Sequence, residues 1–125
     1  MLMLDTSIAI HLRDGEPIIR ARIEEADDTL VFSIITVVEF EAGFLDGEAE
    51  LRRARMSALL ETIDYRPFDS RDAAAYGRII AQTGYSRRKV LDRMIAAQAL
   101  VDGATLVTRN GDDFRDIPGL TLLEW

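Results

Sequence analysis

Asp5, Glu39, Asp92 and Asp113 are four acids far apart in the chain, each placed where an apolar run meets a helix start. Asp5 closes the opening run Met1-Leu2-Met3-Leu4, and Glu39 lies one turn into the helix expected after Thr29–Ser33. Asp92 begins the helix Leu91-Asp92-Arg93-Met94-Ile95-Ala96-Ala97, and Asp113 follows the strand expected over Ala104–Thr108. In a parallel α/β sheet, strand C-termini and helix N-termini share one edge, the edge at which such folds bind ligands. Four carboxylates on that edge make a divalent-metal site. Cysteine is absent and His11 is the only imidazole. The ligands must then be oxygen, which favours Mg²⁺ or Mn²⁺ over Zn²⁺.

Each acid also has a structural reading. Asp5 is placed to cap a helix over 6–13. Thr36-Val37-Val38-Glu39 fits a capping box, in which Glu39 returns to a backbone N–H. Asp92 in a first helical turn is stabilised by the helix dipole, as Asp112 and Asp113 are after Asn110. The neighbours weigh against capping alone. Glu39 is set among Val37, Val38, Phe40 and Phe44, and Asp92 precedes an apolar run. A partly buried acid among such residues needs a partner. If the partner is not a metal, Arg93 or Arg109 is the alternative.

The elements that must position these acids alternate as βαβ units. Strands are expected near 1–5, 29–33, 65–68, 104–108 and 120–124. Helices are expected near 6–13, 17–26, 36–46, 48–63, 70–83 and 91–102, with a short turn near 111–115. Pro17 suits a first helical turn, Asp69 or Ser70 a cap, and Gly103 a helix end. Leu51, Met56, Leu59, Leu60 and Ile63 form a stripe on the second arm of a helical hairpin made with 36–46. No repeat or linker divides the chain, so residues 1–125 are expected to form a single domain.

Composition narrows the function. No apolar run approaches the roughly 20 residues that span a bilayer. The opening turns acidic at once, unlike a signal peptide, and the lack of cysteine fits a cytoplasmic protein. A net charge of −7 argues against coating nucleic acid by bulk electrostatics. It leaves room for a nuclease, in which a metal and a local basic patch attract the substrate. The cations are nearly all arginine, an imbalance that a compositional bias of the source genome explains as well as phosphate binding does. His11 is expected at the surface or on the first helix, and Phe40, Phe44, Tyr76 and Trp125 in the core or an interface.

The blocks Leu4-Asp5-Thr6-Ser7, Ser33 through Glu39, Asp92 through Ala97, and Gly103 through Asn110 leading to Asp113-Phe114 resemble the PIN-domain ribonucleases. The likeness is specifically to the VapC-type toxins of type II toxin–antitoxin pairs, and it extends to the ending Pro118 through Trp125. It implies a three-layer α/β/α domain around a mostly parallel sheet of four to five strands. It implies an RNA-cleaving enzyme with Asp5, Glu39 and Asp92 as metal-holding catalytic acids and Asp113, ahead of Asp112, as the fourth. Thr6, Thr108 and Asn110 match supporting positions. A cognate antitoxin and a homodimer are implied as well. The chain departs from the family at Ser7, where many relatives have Asn. It departs again at Ser86-Arg87-Arg88-Lys89, where relatives often have a Pro/Gly-containing segment.

Hydrolysis of a phosphodiester needs charge neutralised on the phosphate and a nucleophilic water near neutral pH, both of which a carboxylate-held divalent ion supplies. Arg87, Arg88 and Lys89 are then candidates for RNA contacts, or else a solvated basic loop. Two other classes compete. An acidic-pocket phosphotransfer protein needs a second acid two residues after the first, where Ser7 stands, or paired acids and a lysine after a late strand, where Arg109 stands. A non-catalytic binding module would show its acids dispersed or paired with arginines.

Overall fold

The computed structural model describes residues 1–43 and 48–125. The last turn expected of the helix over 36–46, and Phe44 with it, lie outside the described residues. Strands β1 (Leu2–Leu4), β2 (Leu30–Ser33), β3 (Asp64–Arg66), β4 (Thr105–Thr108) and β5 (Thr121–Glu124) form one sheet in the order β3-β2-β1-β4-β5. Every pairing is parallel, so the sheet is wholly rather than mostly parallel. Helices α1 (Thr6–Arg13), α2 (Pro17–Glu25), α3 (Ile34–Ala42), α4 (Ala49–Thr62), α5 (Ser70–Thr83) and α6 (Val90–Asp102) connect the strands.

The layers follow from strand periodicity, because successive side chains point to opposite faces. Met3, Val31 and Leu106 enter a core with α5 and α6 residues Ala75, Ile79, Ile95, Ala96 and Ala99. Their neighbours Leu4, Phe32 and Val107 enter the other core, with Ile8, Ala9, Ile19 and Met56 of α1, α2 and α4. Both faces of β1 are therefore buried, which explains its unbroken apolar run. Met3 and Leu4 are fully buried, and each such side chain contributes about 1.5–3 kcal/mol. Helix α3 straddles the layers, with Ile35 in one core and Phe40 in the other.

Local signals set most boundaries. Asp5 ends β1 and caps α1 with no intervening residue, Pro17 opens α2, and Asp69 and Asp72 form a capping box on α5. Gly103 ends α6 at φ 62°, a left-handed conformation that glycine adopts without strain. Edge strand β3 is fixed by Arg66, which binds buried Asp72 through two bonds of 2.6 and 2.8 Å and reaches Asp102 at 2.6 Å. Removing one partner of such a buried pair costs about 3–5 kcal/mol. The expected α4 stripe is mostly present, with Met56 and Ile63 buried, but Leu51 is 51% exposed. Tyr76 and Trp125 are half-buried against the two cores.

Candidate active site

The chain order places β2 and β3 on one side of β1 and β4 and β5 on the other. The ends of β1 and β4 thus flank a topological switch point, where parallel sheets open a crevice for ligands. Asp5 and Thr108 meet there across 103 positions of sequence, Thr108 Oγ1 donating to Asp5 Oδ2 at 2.8 Å. Ser7 Oγ donates to the same oxygen at 2.9 Å, and the Thr6 N–H to Oδ1 at 2.7 Å. The two hydroxyls are themselves oriented: Ser7 Oγ accepts from Arg109 N and Thr108 Oγ1 from Asn110 N, which turns each single proton toward Asp5. Most of the roughly four lone-pair positions on the carboxylate thus face the protein's own donors.

Asp5 is thus both helix cap and cluster member. Ser7 reaches the acid through its hydroxyl.

Glu39 is held by a second hydroxyl chain. Thr6 Oγ1 donates to Glu39 Oε1 at 2.8 Å and lies 3.0 Å from Thr36 Oγ1. A hydroxyl has one proton, so with that of Thr6 on Glu39 the bond between the threonines must come from Thr36. This corrects the capping-box reading. The cap of α3 is Ser33, which accepts from Ile35 N at 2.9 Å. Thr36 is a fully buried residue inside the helix, and Glu39 is the sixth residue of α3.

Asp92 lies in the first turn of α6 and has neither a hydrogen bond nor an ion pair among the described residues. The arginine alternative fails. Arg93 is buried and turns to Thr83 Oγ1, the Gly84 carbonyl and Asp116, while Arg109 binds Glu16 at 2.7 Å. Asp113, half-buried, faces the cluster and is 3.5 Å from Arg88. Asp112 points away, with its side chain 92% exposed and paired with Arg115. The Asn110 side chain makes no hydrogen bond among the described residues, while its backbone N–H donates to Thr108 Oγ1 at 2.9 Å.

Electrostatics tie the four acids together. Burial raises the Asp5 carboxyl above its ordinary range despite the bonds from Thr108, Ser7 and Thr6. Burial also raises Glu39, against the Thr6 bond and with the charge of Asp5. Asp92 is pushed up to about 7, first by burial and then by the charges of Asp5, Glu39 and Asp113, with Arg88 opposing. No ion pair compensates Asp5, Glu39 or Asp92 among the described residues. An all-oxygen donor set with this uncompensated charge fits a hard cation. No three such side chains among the described residues stand close enough to enclose an ion directly, so part of its shell must be water.

Arg87, Arg88 and Lys89 form a 3-10 turn rather than an open loop, closed by Lys89 N on the Ser86 carbonyl at 3.1 Å. His11 is half-buried on α1, 3.8 Å from Glu16. Sequence reasoning missed Thr36 as a hydrogen-bond donor and Arg93 as a buried hub. A threonine three residues before a candidate acid, and a charge inside an apolar helix, were the available signals.

The PIN domain family model matches residues 2–120. The chain is 30% identical to ribonuclease VapC1 of Rickettsia felis, over 98% of its own length and 94% of that protein's. It is 29% identical to the tRNA(fMet)-specific endonuclease VapC of Shigella flexneri, over 98% and 96%. Its fold superposes on the crystal structure of VapBC2 from Rickettsia felis bound to a promoter DNA fragment, with a TM-score of 0.88, 26% identity, and 99% of this chain and 98% of that one covered. PIN nucleases generally depend on a divalent metal. The chain belongs to the PIN-domain family, among its VapC-type ribonucleases.

Proposed function

We propose that this chain is the toxin of a type II toxin–antitoxin pair, an endoribonuclease that hydrolyses RNA phosphodiester bonds with Mg²⁺ or Mn²⁺ held, directly or through water, by Asp5, Glu39, Asp92 and Asp113. The observation that carries the site is the mutual charge of these acids: Asp92 feels the other three and has no protein partner among the described residues. When bound, the ion supplies charge neutralisation on the phosphate and an activated water. The chain's own residues do the rest. Ser7, Thr108 and the Thr6 N–H fix Asp5, and Thr36 through Thr6 fixes Glu39. Asp92 and Asp113 close the acidic cluster from α6 and the turn after β4. Arg88, beside Asp113, is placed to exchange that acid for an RNA phosphate, with Arg87 and Lys89 on the same turn.

The relatives support the reading. They are named as ribonucleases, and one for cleavage of tRNA(fMet), which makes an initiator tRNA the first substrate to try. The partner is a cognate antitoxin protein, as the VapBC assembly among the neighbours suggests, and the working form is a homodimer in the cytoplasm. The phosphotransfer alternative lacks its second acid, since Ser7 Oγ is committed to Asp5.

Asp5→Asn, Glu39→Gln and Asp92→Asn should each abolish metal-dependent RNA cleavage with the far-UV circular dichroism spectrum unchanged. Three amide variants that cut at the wild-type rate would remove the site.

A further inference from the structure

We propose that Tyr85 is a stacking platform for an unpaired base of the RNA substrate, displayed beside the cationic turn Arg87–Lys89. The inference rests on the RNA-cleaving reading above and adds to it which form of RNA the site grips.

Tyr85 is 70% exposed, the most exposed large apolar side chain among the described residues. It is not on a loose loop. Gly84 turns the chain at φ 83°, and its carbonyl accepts from buried Arg93 at 2.7 Å. Arg93 also binds Thr83 Oγ1 and Asp116, the latter at 3.0 Å. On the other side, the 3-10 turn is closed by Lys89 N on the Ser86 carbonyl. The backbone that carries the ring is therefore held on both sides before any ligand arrives, which lowers the ordering cost of binding.

Charge selects the occupant. Arg87-Arg88-Lys89 is the only run of three cations in a chain of net charge −7, and Arg88 reaches Asp113 at 3.5 Å. A local basic turn joined to the acidic site invites a polyanion and leads it there. An aromatic face beside guanidinium forks matches a single strand, which offers a free base face and phosphates together. A duplex keeps its bases stacked on one another.

The test uses the full chain, a mixed-sequence single-stranded RNA of about twelve nucleotides, and the same sequence as a duplex. Tyr85→Ala should weaken single-strand binding about tenfold and raise KM, with kcat within about twofold. The log–log salt slope should stay unchanged because every cation that meets a phosphate is still in place. Tyr85→Trp should bind at least as tightly as wild type, and duplex binding should not respond to either change. A Tyr85→Ala chain with wild-type single-strand affinity overturns the proposal. So does a weakening that tracks dissociation of a dimer in sedimentation, which would make Tyr85 a subunit contact. Wild type that neither binds nor cuts RNA removes the nuclease reading itself. Cleavage at unchanged KM in Tyr85→Ala removes only the platform.

Discussion

The two halves of the acidic site are built differently. Asp5 and Glu39, on the β1 and α3 side, are fixed by hydroxyls that are fixed in turn: Ser7, Thr108 and Thr6 touch the acids, and Thr36 stands behind Thr6. Asp92, on the α6 side, has no hydrogen bond among the described residues, and Asp113 has a single ion pair at 3.5 Å. The first half is preorganised by local hydrogen bonds. The second is held in place by its helix and turn but remains electrostatically unfinished. A cation bound there would stabilise the second half by more than the first, because it would supply to Asp92 what Thr108 and Ser7 already supply to Asp5.

The largest effects separate the halves by what each amide does to the fold. Asp5→Asn and Asp92→Asn should both lower cleavage beyond the roughly hundredfold loss typical of residues behind a metal ligand. Asp5→Asn should also lower the melting temperature without metal. Its NH₂ must face one of three donors, from Thr6, Ser7 and Thr108, and forfeiting a bond of this kind costs about 1 kcal/mol. An Asp5→Asn chain that melts above wild type in EDTA would erase the distinction.

A smaller effect is expected behind Glu39. Thr36→Val keeps the shape but removes the donor to Thr6, and should lower activity or metal affinity about 10- to 100-fold. Thr36→Ser should recover most of it. A loss that serine does not recover would make Thr36 a packing residue. The smallest effect concerns the approach of substrate. Replacing Arg87, Arg88 and Lys89 together by Ala should flatten the log–log salt dependence of RNA binding by about 0.7 for each phosphate that no longer meets a cation. An unchanged slope would mean that the turn is only solvated.

Much of this was legible in the sequence. The strands and helices follow from apolar periodicity, and Pro17, Asp69 and Gly103 act where their backbone chemistry dictates. The four acids were legible as residues at strand–helix junctions. The start of α3 was not, because Ser33 and Thr36 are both competent caps. What decides between them is where β2 ends, set by its pairing with β3, in which Ser33 faces Arg66. Side-chain direction was equally hidden. Arg93 reads locally as a partner for Asp92, yet its carboxylate is Asp116, 23 residues away. The Asn110 backbone N–H, rather than its side chain, makes the hydrogen bond to Thr108. Such contacts depend on tertiary closure, which leaves no local periodicity to read. No helix among the described residues is long and apolar enough to cross a membrane, in keeping with the hydropathy of the sequence.

The central claim, that Asp92 completes a cluster of like charges awaiting a cation, is tested most directly by melting wild type and Asp92→Asn from pH 4 to 8 in EDTA and in millimolar Mg²⁺. Asp92 has its carboxyl raised from 3.8 to about 7, so the folded chain binds this proton more tightly than the unfolded one. Its contribution to metal-free stability is fully present below the unfolded value and is lost as pH rises through about 7. Wild type in EDTA should therefore fall in melting temperature across that window, and Asp92→Asn should fall less and melt higher at pH 8, by about 4 °C for each kcal/mol recovered. Mg²⁺ at a hundred times its dissociation constant should restore about 2.7 kcal/mol to wild type and much less to the variant. A wild type indifferent to Mg²⁺, with Asp92→Asn melting lower in EDTA at pH 8, would contradict the account and return Asp92 to the role of a helix-dipole residue.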